Sequence, residues 1–146
     1  MNQHRDFPRL NRSNHVDTSP ATSLYNCIAW AAGDAGRWWE PGRYWPVTSD
    51  RLDHGLNTLI DAFKALGFEL CEDGEVENDF EKVALFASFS EFTHAARQLP
   101  TGKWTSKLGK SLDIEHDSPR DVAGGLYGEV AAYMKRRVVP IATSES

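Results

Sequence analysis

Apolar residues recur at three- and four-residue steps through Leu52, Leu56, Leu59, Ile60, Phe63 and Leu66. That single stripe predicts an amphipathic helix over about 49–66, capped by Ser49 and stopped by Gly67. A shorter run, CIAWAA, predicts a tightly packed helix over about 26–33. Asn26 is its N-cap, Gly33 its natural stop, and Ala29, Ala31 and Ala32 let neighbouring elements approach closely. From Gly67 onward the period shifts towards two. FELC (68–71), EKVALFASF (81–89), FTHAARQL (92–99) and GKWTSKLG (102–109) read as strands, with PTG at 100–102 as a hairpin turn. SPRDVAGG opens as a helical turn, with Ser118 as cap and Pro119 at the first position. YGEVAAYMKRR (127–137) reads as a strand, because Val130, Ala132 and Met134 alternate with polar neighbours. The order predicts an α+β fold, with N-terminal helices packed on one side of an antiparallel sheet of about four to five strands.

The polar stretch 1–22, with Pro8 and Pro20, reads as an extended arm laid over the surface by Phe7, Leu10 and Val16. Residues 23–137 make a single domain and 138–146 a flexible tail; 146 residues suffice for one core and not two. A net charge of −5 argues against a nucleic-acid partner, and KRR at 135–137 reads as a solvated strand end. No run approaches the ~20 apolar residues of a membrane span, and the N-terminus lacks the apolar core of a secretory signal. Two cysteines exclude a disulfide scaffold. The expected compartment is the cytoplasm, or the exterior by a route that needs no classical signal.

Cys27 stands at the head of the short helix, where free backbone N–H groups and the helix dipole favour a thiolate. The competing reading is a buried cysteine packed as a small hydrophobe. His94, at the start of a strand with Ala95 and Ala96 beside it, is the candidate base. A third group should hold the imidazole. The 100–102 hairpin places Ser106 or Lys107 nearest by register, while Asp113 has the better chemistry and is the expected third member; His116 lies close by. RWWEPGRYWP (37–46) offers Trp38 and Trp39 as ligand-facing surface, with Trp104, Ser106 and Lys107 lining a cleft; the same tryptophans equally serve to close the core. Cys27, Cys71, His94 and His116 lack the paired spacing of a zinc site, and no phosphate-binding glycine loop is present, so neither metal nor cofactor is expected.

YNCIAWAAGD, HAARQL, GKWTSKLG and DIEH together look like segments of a family of uncharacterised bacterial proteins. More distantly, a helix-head cysteine followed by a sheet with a strand histidine resembles the papain-like fold of NlpC-like cell-wall peptidases and amidases. That resemblance implies Cys27 as nucleophile and His94 as base. The chain departs from the usual DCSG around the cysteine, reading NCIAW, which weakens peptidoglycan as substrate. The expected function is a cysteine hydrolase or acyl-transferase acting on a peptide or isopeptide amide. The alternative is a non-enzymatic protein-binding module using the aromatic surface.

Overall fold

Phe80–Ser88 is a nine-residue strand whose middle five side chains are all buried, the mark of a strand covered on both faces. In the computed structural model, which describes residues 7–19, 24–41, 44–46, 53–108 and 113–138, this strand lies inside the sheet. The elements in chain order are β1 (His15–Ser19), α1 (Cys27–Ala31), α2 (Leu56–Ala65), β2 (Glu69–Cys71), β3 (Phe80–Ser88), β4 (Glu91–Gln98), β5 (Trp104–Lys107), β6 (Asp113–His116), a 3-10 turn (Pro119–Val122) and β7 (Glu129–Arg137). They form a seven-stranded sheet in the order β1-β6-β5-β4-β3-β7-β2, antiparallel at every pairing.

The expected α+β architecture of helices packed on four or five strands is therefore corrected to a β-rich fold with, among the described residues, two short helices. α1 is only five residues long and α2 ten. Two elements account for most of the difference. HVDTS, expected in a surface arm, pairs with β6 as an edge strand, and its exposed middle residues carry no apolar alternation to announce it. DIEH forms β6 itself, pairing with both β1 and β5. Of the arm's anchors, Phe7 and Leu10 are buried, while Val16 is 59% exposed. Part of the predicted 49–66 helix, and the tail beyond Val138, fall outside the described residues.

Each face of the sheet has its own core. α1 and α2 cover one face, where Ile28, Leu59 and Phe63 meet Val83, Leu85, Ala95 and Met134. The other face is closed by Phe7, Leu10, Val122 and Tyr127 over Ala84, Phe86, Ala96 and Trp104. Alternate residues of β3 thus serve opposite cores, as a period of two requires. Just before β7, Gly128 has φ +69°, and a Cβ there would lie 2.3 Å from the Ala87 carbonyl oxygen. Only glycine permits that approach of turn to strand.

One irregularity matters for function. β3 and β4 are in register from Val83↔Arg97 to Phe86↔His94, but the next pair is Ala87↔Phe92. Thr93 is the extra residue, a β-bulge. Phe92 packs against the helix-side core, whereas His94, two residues on, meets Phe86 and Tyr127 of the opposite core. Unbroken alternation would have put both on one face.

Candidate active site

The head of α1 is held by Asn26. Its Oδ1 accepts the N–H of Ala29 at 3.1 Å and of Trp39 at 3.1 Å, and its Nδ2 donates to the Trp39 carbonyl at 2.6 Å. These bonds cap the helix and fasten the aromatic loop to it. Cys27 follows at once. Its thiol donates to the Thr93 carbonyl at 4.0 Å, and the sulfur accepts backbone N–H groups that include those of Ala95 and Ile28. The thiol therefore docks on the β4 backbone on both sides of His94. Burial pushes its pKa up to about 11, against the opposing pull of those N–H donors and of the Lys107 ammonium. The resting species is the thiol.

His94 is fully buried. Its ring stacks on Tyr127 at 4.0 Å, with Phe86 meeting it edge-on at 5.1 Å between centroids. Its Nε2 lies 3.0 Å from Ser106 Oγ, which lies 2.7 Å from His116 Nε2; His116 Nδ1 lies 2.8 Å from the Ser118 carbonyl. A carbonyl only accepts, so His116 carries its proton on Nδ1 and its Nε2 accepts the Ser106 hydroxyl. That hydroxyl's proton is then used, so His94 donates from Nε2. His94 Nδ1 is left as a bare imine nitrogen, buried and without a partner. The relay ends on a rigid anchor, since Ser118 caps the 3-10 turn and its N–H donates to Asp121 at 2.9 Å. Burial holds both imidazoles below their ordinary pKa, with His116 adding to the effect on His94. Both rings are neutral near pH 7.

The structure brings Cys27 beside the backbone of His94 but makes no hydrogen bond between the thiol and the imidazole; the bulge has turned the ring to the far face. Ser106, and behind it His116, hold the imidazole. Asp113 does not: it lies on the helix side, accepting the Tyr25 hydroxyl at 2.6 Å, with its second oxygen buried and unpartnered. Burial and that bond push the Tyr25 pKa up to about 12. Lys107 pairs in register with Asp113 and is fully buried, its ammonium 5.3 Å from the Tyr25 ring centre. Burial lowers its pKa, against the attraction of Asp113 and Cys27.

The tryptophans chiefly close the cores. Trp39 is buried and donates to Asp34 at 2.8 Å; Trp104 is buried in the far core; Trp45 stacks on Phe92. Trp38 is half-buried and donates to Glu40. Ser106 and Lys107 are buried on opposite faces of β5, so they do not line one cleft. Among the described residues no group of three or more His, Cys, Asp or Glu side chains is placed to hold a metal. Tyr127, the platform under His94, had no signal in the sequence, because its contact depends on the turn before β7 packing across the sheet.

Residues 16–135 match the family described as Domain of unknown function (DUF7689), and the chain belongs to that family. No curated protein and no solved structure matches it. Among the described residues no helix is long and apolar enough to cross a membrane.

Proposed function

We propose that this protein is a cytoplasmic cysteine hydrolase or acyl-transferase acting on an amide bond of a peptide or protein, with Cys27 as nucleophile and His94 as base. The observation that carries the reading is the bare Nδ1 of His94. Its tautomer is set by the Ser106–His116–Ser118 relay, and the Cys27 thiol is docked on the backbone to either side of it. A buried acceptor without a donor is costly; for the Cys27 thiol to supply one, the imidazole must turn back from the far face at the Thr93 bulge, and catalytic hydrogen bonds often tighten only when substrate binds.

In the reaction the Cys27 proton passes to His94 Nδ1, and the thiolate attacks the substrate carbonyl. The imidazolium then protonates the departing amine, leaving a thioester. Water ends the cycle in hydrolysis, a second amine in transfer. Ser106 and His116 are positioning residues, and the buried Lys107 cation favours the thiolate. Two free cysteines suit a reducing compartment. A binding role for the aromatic loop draws less support, because Trp39 and Trp45 are engaged in internal contacts.

The test is the rate of iodoacetamide alkylation of Cys27 against pH, in the wild type and in His94→Ala, with Cys71 replaced by serine in both. The proposal expects alkylation below pH ~9 to be at least ~10-fold faster in the wild type than in the variant, because only the wild type has an imidazole to take the thiol proton as the sulfur attacks. A single rise near the thiol's resting pKa of about 11, alike in both proteins, would overturn it.

A further inference from the structure

Between β3 and β4 the chain reverses through Phe89 and Ser90, at φ +52° and +74°. Tight hairpin turns do use two left-handed residues, but Asn-Gly is the favoured pair, and a bulky side chain in that conformation is an outlier. The Phe89 ring gains nothing from its own chain, being 98% exposed. The surroundings hold the turn rigid. Leu56 N–H donates to the Ser90 carbonyl at 3.0 Å and Phe92 N–H to the His54 carbonyl at 2.7 Å, while Gly128 abuts Ala87 and Ser88. Leu126, exposed on the turn that ends at Gly128, flanks the same tip. Strain that a fold enforces in this way clusters at sites that bind.

At the other end of the same strand pair, where β3 begins and β4 ends, a cavity of about 520 Å³ opens, with Val76, Phe80, Leu99, Pro100 and Val138 as its apolar walls. Val76 and Val138 are, like Phe89 and Leu126, exposed apolar side chains. The molecule thus carries an aromatic knob at one end and an apolar hole at the other. Nine residues of β3, about 30 Å of strand, separate them, so a chain cannot fill its own hole. Of the carboxylates on the cavity walls, Glu77 is held by Lys82 at 3.3 Å and Lys135 at 2.9 Å, and Glu81 accepts Arg136 Nε at 2.8 Å. A neutral phenyl ring suits such a hole.

We propose that this protein self-associates head to tail, the Phe89 ring of one chain seated in the β3–β4 end cavity of the next. A knob and a hole on different surfaces make a heterologous contact, which repeats from chain to chain instead of closing as a two-fold dimer. Asp79 on the cavity wall and Glu91 two residues from the knob carry like charge, so salt strengthens the contact by screening them.

Sedimentation of the full chain in reducing buffer, from ~20 µM to ~1 mM, spans the affinities expected of one buried aromatic anchor. The average mass should climb with concentration without levelling at a dimer, and climb further in ~0.5 M than in ~0.02 M salt. Phe89→Asn, which suits the left-handed turn, should keep the fold and stay monomeric. Val138→Glu, at the exposed mouth of the hole, should also stay monomeric. An equal mixture of the two variants retains one knob and one hole, and should form dimers and nothing larger. A wild type that is monomeric at ~1 mM, a mass that levels at a dimer, or a Phe89→Asn protein that still associates overturns the proposal. The wild-type and Phe89→Asn results decide the matter even where Val138→Glu folds poorly.

Discussion

Replacing Ser106 by alanine tests the buried relay directly. Ser106 Oγ is the hydrogen-bond partner of His94 Nε2, at 3.0 Å, and it supplies the proton to His116 Nε2, at 2.7 Å. The site is closed to solvent, with Ser106 and His94 at 0% exposure and His116 at 1%. Alanine leaves a buried N–H donor on one ring and a buried acceptor on the other. Each orphaned group costs about 1–3 kcal/mol, and the small void left by the hydroxyl adds little, so the loss of stability is about 2–6 kcal/mol. For a chain of this size each kcal/mol lowers Tm by roughly 2–4 °C, which places the thermal shift at roughly 4–24 °C. Urea unfolding at pH 7.5 measures the free energy, and nitrogen-15 spectra of the imidazoles report the tautomers. The wild type should show His116 protonated on Nδ1 and His94 on Nε2. A loss under ~0.5 kcal/mol, the range of an ordinary surface change, or a wild-type His94 protonated on Nδ1, would refute the relay and its assigned tautomers.

Acid should weaken the fold before the carboxylates titrate. The pKa of His94 and of His116 lies below the ordinary value of 6.5 in the folded chain, so below pH ~6.5 the unfolded chain binds more protons and stability falls as pH falls. The groups facing His116 are Asp121, Asp117 and His15, with the two carboxylates moderating the effect. Urea midpoints should be level above pH ~7 and decline through pH 6 to 5, by up to ~2.7 kcal/mol per pH unit for two protons; a flat profile would contradict buried neutral rings. Gly128→Ala should cost more than ~3 kcal/mol, because the new Cβ meets a backbone oxygen that cannot move aside. Gly33→Ala, also at positive φ but with open space around it, should cost only about 1 kcal/mol; equal losses in the two melts would show that the strand contact is not what requires Gly128.

Much of the local structure was legible in the residues. The three- and four-residue spacing from Leu56 to Phe63 forms α2, alternation and turn residues delimit β3, β4 and β5, and Asn26 and Ser118 cap the elements they precede. Those signals are local because they arise from backbone periodicity and from hydrogen bonds within a few residues. β1 was not legible: HVDTS is polar and mostly exposed, and it is a strand only because β6 offers it an edge. The candidate chemistry divides in the same way. Cys27 at a helix head and Ser106 across from the His94 strand follow from spacing and register. The preference for Asp113 followed from carboxylate chemistry alone, and the chain folds that carboxylate onto Tyr25. The direction in which His94 points rests on one extra residue, Thr93, in the β3–β4 ladder. Pattern along a strand says which residues share a face as long as the alternation is unbroken. Whether it is broken depends on pairing with a partner strand, and no local run of residues carries that information.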